Sequence, residues 1–343
     1  MRYNPAMSSL SREFLERMPK IELHVHLEGA IPRPALDELA RKYGLAPFTD
    51  LLDRPTERGR RPSFADFMDV WLRIGGLLRE YEDYEFIAAA LAGEFRRRNI
   101  IYAEVLFSPD RDSTAHLRPD RITEAVAEGF AQAPGWPVVR LIADFVRDNG
   151  PHAAGRALDA LLAMNDRTIA GIGIGGSEAS FPPAPFAPLF ERARAAGLRT
   201  QAHAGESAGP ESVWAAVRVL RVDRIAHGVR AREDADLVAD LAASGMPLDM
   251  CPTSNVRTGA VDRIEDHPAA EFLRRGLKVT VNTDDPTLFG SALAGEFDLL
   301  VQTFDLGRNE IRTLLLNAAN ASWCGAEEKT RLRSRIEAFF VRA

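Results

Sequence analysis

The sequence feature that most constrains the fold is a ten-residue segment near the N-terminus, residues 20–29, which reads KIELHVHLEG. Apolar and polar residues alternate along this segment with a period of two, a pattern typical of a β-strand. His24 and His26 therefore lie on the same side of the predicted strand, about 7 Å apart. Two imidazoles on one strand can bind one metal ion, although a pair of hydrogen-bonded histidines would give the same pattern.

Seven more segments with strand character follow, and helical patterns separate them. Their predicted bounds are 100–107, 138–146, 169–176, 198–204, 224–229, 247–250 and 278–282. Alternating strands and helices predict a parallel sheet, and eight strands in 343 residues favour a closed (β/α)8 TIM barrel. An open doubly wound sheet is the structural alternative. We expect residues 1–343 to form a single domain, with a helical insertion at about 45–98 over the C-terminal mouth.

The composition excludes several classes of protein. A hydrophobic fraction of 46% with 27% charged residues is typical of a globular chain. The net charge of -6 argues against a nucleic-acid partner, and no apolar run is long enough for a transmembrane helix or a signal peptide. With only two cysteines, Cys251 and Cys324, neither a disulfide scaffold nor a thiolate-rich zinc site is expected. We therefore expect a cytoplasmic protein without nucleic-acid or membrane partners, and the sequence leaves its oligomeric state open.

Polar clusters occur at the C-terminal ends of four predicted strands, which in a barrel is the face that carries active sites. The clusters are 24–28 (HVHLE), 201–206 (QAHAGE), 225–228 (IAHG) and 282–286 (NTDDP). Four of the seven histidines lie in these clusters, a distribution that scattered core histidines would not show. The sequence therefore predicts one polar site at the barrel mouth.

The side chains in these clusters suit a single zinc ion. His24, His26 and His203 offer imidazole nitrogens and Asp284 offers a carboxylate, and a water can complete the coordination sphere. A magnesium or calcium site made of oxygens would not need three imidazoles. Taken singly, His203 could cap a strand and Asp284 with Asp285 could form a turn, but the matching strand ends favour a metal centre.

Two further residues are predicted to act on a substrate. Glu206 follows His203 by three positions, and the glycine between them permits a bend that brings the carboxylate over the metal as a proton shuttle. An acid placed at a helix N-terminus would give the same pattern. His227 could orient or deprotonate a metal-bound water, or stabilise charge. Asp285 could hydrogen-bond a ring nitrogen of the substrate.

The clusters resemble those of the adenosine deaminase family, within the metal-dependent amidohydrolases, and the similarity extends from about residue 19 to residue 325. The motifs that carry it stand in the family's order: His24-x-His26, His203-Ala-Gly-Glu206, His227-Gly228 and Thr283-Asp284-Asp285-Pro286. The resemblance implies one Zn²⁺ per chain, bound by His24, His26, His203 and Asp284. It also implies attack of a zinc-activated water on the amine-bearing carbon of a purine and loss of ammonia.

The resemblance also implies roles for individual residues. Glu206 would deliver a proton to the purine ring, His227 would assist the attacking hydroxide, and Asp284 would be catalytic as well as a zinc ligand. Contacts to the substrate are expected from four positions: Glu28, Gly176, Glu178 and Asp285. Of these, Asp285 and the backbone of Gly176 would reach purine nitrogens.

The chain departs from the pattern of adenosine deaminases proper at two positions. It has Glu28 where they usually have Asp, and Gly173 where they usually have an Asp near the metal. The segment from Glu178 to the prolines at 182–183 is more similar to adenine deaminases. The segments 203–214 and 251–255 are more similar to aminodeoxyfutalosine deaminases, whose substrate is an adenine nucleoside with a carboxybenzoyl group.

Together these features predict zinc-dependent hydrolytic deamination of the 6-amino group of an adenine-type purine, either adenosine or a related N9-substituted adenine such as aminodeoxyfutalosine. The first alternative is an adenine deaminase that acts on the free base. A more distant alternative is an amidohydrolase acting on a non-purine amide or ester. Relatives of that kind often have a bridging lysine, and we find none on the middle strands.

Overall fold

The computed structural model of the chain describes residues 10–46, 64–111, 117–133, 137–164 and 169–342. Residues 47–63 of the predicted insertion lie outside the described residues.

Eight parallel strands form one sheet in which every strand pairs with the next strand of the sequence. The predicted (β/α)8 TIM barrel is therefore confirmed. The strands are β1 Lys20–His26, β2 Ile100–Phe107, β3 Val138–Val146, β4 Ile169–Gly175, β5 Arg199–Ala204, β6 Arg224–His227, β7 Pro247–Met250 and β8 Lys278–Val281.

The last strand meets the first at the residues that matter most for function. Asp284, just beyond β8, forms a parallel bridge with Val25 in β1. Its backbone N–H donates to the carbonyl of His24 at 3.0 Å, and its own carbonyl accepts from the N–H of His26 at 2.9 Å. The contact that closes the barrel thus holds Asp284 beside both histidines of β1.

Helices cover the outside of the barrel. In the part of the chain that the structure describes, one helix precedes β1, three lie between β1 and β2, and four follow β8. The helix of residues Arg308–Ala321 contacts both β8 and β1 and covers the closing contact from outside. In chain order the helices are α1 Arg12–Arg17, α2 Arg33–Lys42, α3 Phe64–Gly75, α4 Tyr81–Arg97, α5 Pro119–Ala131, α6 Gly150–Leu162, α7 Ala187–Ala195, α8 Pro210–Ala215, α9 Ala235–Ser244, α10 Pro252–Arg257, α11 Ala269–Arg274, α12 Pro286–Phe289, α13 Leu293–Phe304, α14 Arg308–Ala321 and α15 Ala326–Arg342.

Strand β1 shows how the sequence pattern produces a barrel. All seven residues of β1 are buried, because helices cover one face of the sheet and the barrel interior encloses the other. Leu23 and Val25 belong to the apolar core. The alternate residue Glu22 is buried among polar groups, where its carboxylate accepts from the Thr283 backbone N–H at 2.9 Å and from the Thr283 hydroxyl at 3.1 Å.

A buried ionic cluster occupies the barrel interior. The Arg224 guanidinium in β6 is fully buried and lies 2.6 Å from the Glu104 carboxylate and 2.5 Å from the Asp249 carboxylate. The Tyr102 hydroxyl donates to Glu104 at 2.7 Å. Buried charges are costly unless they are paired and hydrogen-bonded. Here one cation is paired with two anions, Asp249 on the neighbouring strand β7 and Glu104 on β2 across the barrel.

Helix α3 lies over the mouth of the barrel. Phe67, Met68 and Trp71 on this helix line a cavity together with residues from the C-terminal ends of the strands. Among the described residues, no helix is both long enough and apolar enough to cross a membrane.

Candidate active site

Four side chains form a buried cluster at the barrel mouth. One ligand atom from each of His24, His26, His203 and Asp284 lies within 4.8 Å of all the others. The histidines come from the ends of β1 and β5, and Asp284 follows β8. The structure thus brings together the four residues that the sequence predicted as metal ligands.

The orientation of His203 shows which of its nitrogens faces the cluster. Nδ1 lies 3.0 Å from the carbonyl oxygen of Ile174. A carbonyl can only accept, so Nδ1 carries the ring proton and Nε2 keeps its lone pair. Nε2 lies 3.2 Å from Nε2 of His26, inside the cluster. A second hydrogen bond that fixes the tautomer in this way is typical of metal-binding histidines.

Asp284 is held in place by several neighbours. Its φ of 64° lies in the left-handed region, which is unfavourable for a non-glycine residue. Its Oδ1 lies 3.2 Å from His24 Nε2 and 3.3 Å from His26 Nε2, and its Oδ2 accepts from the Ser254 hydroxyl at 2.6 Å. These contacts, with the two backbone bonds to β1, fix the carboxylate against the histidines.

The electrostatics of the cluster fit a cation. Burial lowers the pKa of His24 to about 3 and that of His203 well below its usual value, so both rings are neutral, the form that binds metals. Burial also acts to lower the pKa of His26, but the hydrogen bond to Asp284 and the nearby charge of Asp285 raise it to about 10. The carboxylates around His26 thus favour a positive charge at this position, and three imidazoles with one carboxylate are a donor set that transition metals such as Zn²⁺ accept.

Glu206 stands beside the cluster, as the sequence predicted. The preceding Gly205 has a φ of 73°, which provides the predicted bend. Glu206 is buried, and its Oε2 lies 3.6 Å from Nε2 of His227. Burial raises the pKa of Glu206, so this side chain holds a proton more readily than an ordinary glutamate.

The Glu178 carboxylate is directed at the loop that carries Glu206. Its Oε1 accepts from the backbone N–H of Gly205 at 2.6 Å, and its Oε2 accepts from those of Glu206, Ser207 and Ala208 at 3.1, 2.9 and 2.9 Å. Four backbone donors thus occupy both oxygens, and Glu178 is not among the residues that line the cavity. We infer that Glu178, predicted as a substrate contact, instead anchors this loop.

Asp285 and Glu28 are buried near each other behind the ligands. A side chain at Gly29 would overlap the Asp285 carboxylate, so this glycine provides room and not only a turn. Burial and the charge of Asp284 raise the pKa of Asp285 well above its usual value. Glu28 Oε1 accepts from the backbone N–H of Ser108 at 3.0 Å, and its other oxygen has no partner among the described residues.

A small cavity of about 40 Å³ adjoins the cluster. Six of the predicted site residues line it, whereas His24, Glu28, Glu178 and Asp285 do not. Gly176 adopts a φ of 100° at its edge. The full lining consists of His26, Phe67, Met68, Trp71, Ser108, Asp144, Val146, Gly175, Gly176, His203, Glu206, His227 and Asp284.

Asp144 in β3 is a site residue that sequence reasoning missed. It is the direct cross-strand neighbour of Gly173, and side chains at Gly173 or Gly175 would overlap its carboxylate. Its Oδ1 lies 3.9 Å from His203 Nδ1 and has no hydrogen-bond partner among the described residues, and burial raises its pKa to about 7. The carboxylate that seemed to be missing at Gly173 is thus supplied by the neighbouring strand.

Comparison with known proteins is consistent with this geometry. The family model described as adenosine deaminase matches residues 19–339. The chain belongs to the adenosine deaminase family. Family membership makes the chain a hydrolytic deaminase of the metal-dependent amidohydrolase type.

Individual relatives cover almost the whole chain. An aminodeoxyfutalosine deaminase from Streptomyces avermitilis is 34% identical over 332 residues, which are 95% of this chain and 92% of the relative. An adenine deaminase from Rhodospirillum rubrum is 35% identical over 331 residues, 95% of this chain and 98% of the relative. The crystal structure of an amidohydrolase from Burkhoderia ambifaria with bound Zn has a TM-score of 0.89 at 28% identity and covers 99% of this chain and 95% of its own.

Proposed function

We propose that this deaminase removes the 6-amino group of an adenine ring, free or substituted at N9, by hydrolysis, with one Zn²⁺ bound per chain. The observation that carries the proposal is the cluster of three imidazoles and one carboxylate within 4.8 Å, which lines a cavity together with Glu206. Two relatives support the substrate class, since one is named for adenine and the other for an adenine nucleoside.

The zinc ion would be held by His24, His26, His203 and Asp284, and its chemistry is to lower the pKa of a bound water to about 7. Glu206 would exchange protons with the substrate, because burial raises the pKa of its carboxyl and lets it hold a proton more readily than an ordinary glutamate.

The purine would be oriented by groups of matching polarity. Ring nitrogens without hydrogen accept hydrogen bonds, so a carboxyl that contacts one of them must be protonated. The raised pKa of Asp285 favours this form. The backbone N–H of Gly176, at the cavity edge, would donate to a second ring nitrogen. Asp144, one of whose oxygens has no partner among the described residues, is available to accept from the substrate amine or from a water.

The test is ammonia release by zinc-loaded protein from adenine, adenosine and aminodeoxyfutalosine, with cytidine and guanine as controls. We expect turnover of at least one of the three adenine compounds and none of the controls. The compound that is deaminated most efficiently shows which substituent at N9, if any, the site accepts. If zinc-loaded protein releases ammonia from none of the three, that result would contradict the proposal and favour an amide or ester substrate.

Two variants test the roles of individual residues. Glu206→Gln should keep its zinc and lose about 10²-fold or more in kcat, because the amide cannot transfer the proton. His203→Ala should lose zinc, whereas His152→Ala, at an exposed position in α6, should retain it. Full activity of Glu206→Gln, or full zinc content of His203→Ala, would show that the roles are misassigned.

A further inference from the structure

His227 lies next to the proposed ligands and could bind metal, take a proton from water or donate a hydrogen bond. It even forms a second group of candidate ligands with Cys251 and Asp284. Which role it takes depends on which ring nitrogen carries the proton. Its Nδ1 is hydrogen-bonded to Asn255 in α10, and Asn255 is hydrogen-bonded to His267, just before α11. Both of these residues are buried and lie outside the predicted site.

The direction of this hydrogen-bond chain is set at its outer end. The backbone N–H of Ala269 lies 3.2 Å from Nδ1 of His267. A backbone N–H can only donate, so Nδ1 of His267 must accept and the ring proton must be on Nε2. Burial, together with the charge of Arg232, lowers the pKa of His267 to about 3, which is consistent with a neutral ring.

The protonation of His267 in turn fixes the orientation of the Asn255 amide. Nε2 of His267 lies 3.0 Å from Oδ1 of Asn255, and its proton requires an acceptor there. The amide group of Asn255 therefore points its nitrogen at His227, where Nδ2 lies 3.0 Å from Nδ1. The reversed amide would place two donors face to face. Since Nδ2 can only donate, Nδ1 of His227 accepts and its proton is on Nε2.

We propose that Asn255 and His267 are positioning residues that hold His227 in the tautomer with its proton on Nε2. This nitrogen is buried, lies 3.6 Å from Glu206 Oε2 and has no hydrogen-bond partner among the described residues. A protonated Nε2 neither binds metal nor accepts a proton. It donates a hydrogen bond to the oxygen that attacks the substrate, and proton transfer is left to Glu206. This role toward the substrate rests on the proposed function, whereas the tautomer does not.

The first test is a spectrum of the zinc-loaded protein with ¹⁵N-labelled histidines. Long-range ¹H–¹⁵N correlations report which nitrogen of each ring is protonated, and the His227 signals are identified by their loss in His227→Gln. We expect an unprotonated Nδ1 and a protonated Nε2 for His227, and the same for His267. A proton on Nδ1 of His227 would overturn the proposal. The expected tautomer in a protein without activity on adenine compounds would support it and refute only the proposed function.

Two substitutions of opposite effect complete the test. Asn255→Asp replaces a donor by an acceptor, so His227 should move its proton to Nδ1 and kcat should fall about 10²-fold at unchanged zinc content, while KM changes little. His267→Gln can still accept from Ala269 and donate to Asn255, so the tautomer should persist and kcat should stay within about threefold. An unchanged tautomer in Asn255→Asp, or a reversed one in His267→Gln, would refute the relay. If Asn255→Asp does not fold, the spectra of the wild-type protein and of His267→Gln still test the proposed tautomer.

Discussion

Replacement of Glu178 by Gln should weaken the loop that carries Glu206. The carboxylate accepts four backbone N–H bonds, three of them on Oε2. Hydrogen bonds to a charged acceptor contribute about 1 kcal/mol more than neutral ones, so three weakened bonds cost about 3 kcal/mol. The new amide group would face the Gly205 N–H, which leaves a buried donor unpaired at about 1 kcal/mol or more. Because a neutral amide is less costly to bury, we expect a net loss of about 2–3 kcal/mol in the free energy of unfolding.

Urea unfolding followed by circular dichroism measures this loss, with kcat and zinc content recorded on the same preparations. We expect zinc to be retained and kcat to fall about 10²-fold, because a displacement of about 1 Å at a catalytic group has an effect of this size. The matched control is Glu211→Gln in α8, which directly follows this loop; Glu211 is an exposed carboxylate that accepts one bond from the Gly209 N–H at 2.9 Å. A Glu178→Gln protein as stable and active as this control would refute the reasoning.

The remaining predictions concern the carboxylate near the metal, the barrel interior and the metal itself. Asp144→Gly should lower kcat/KM about 10-fold or more, and adding Gly173→Asp should restore most of it, since the two positions face each other across β3 and β4. If the double variant is no better than Asp144→Gly alone, the carboxylates are not equivalent. Arg224→Met should cost about 3–5 kcal/mol in urea unfolding, because it leaves the Glu104 and Asp249 carboxylates buried without a cation. A loss below about 1 kcal/mol would mean that the cluster is not ionised as described. Removal of metal with a chelator should lower Tm by several degrees, since a ligand at a hundredfold excess over its Kd stabilises by about 2.7 kcal/mol. An unchanged Tm with metal removed would argue against a bound cation.

The sequence predicted the fold closely because each strand has its own local pattern. The bounds of β2, β3 and β7 are those that the sequence predicts, while β4, β6 and β8 end one or two residues earlier. These strands end where the backbone leaves the extended region, as at His227 with a φ of 64° and Gly176 with a φ of 100°. A hydropathy pattern continues through such a turn, so the pattern alone does not locate the end of the strand.

The supporting residues of the site were harder to predict than its ligands. The ligands stand in short motifs at strand ends, where residue type and spacing carry the chemistry. Asp144, His267 and Ser254 act through contacts between different elements of the fold, which no single short motif contains. The glycine at 173 was visible as a departure from the family pattern, but only the pairing of β3 with β4 shows which carboxylate fills the space.

Two residues of the site have backbone conformations that the rest of the fold must stabilise. His227 and Asp284 both have a φ of 64°, which costs about 1–3 kcal/mol each for a non-glycine residue. Glycine would remove the strain, but it would also remove the side chain on which the chemistry depends. The conformations persist because Asp284 is bonded to β1 and Ser254, and His227 to Asn255. Catalysis therefore depends on these contacts as well as on the ligands, and substitutions that break them should lower kcat before they release the metal.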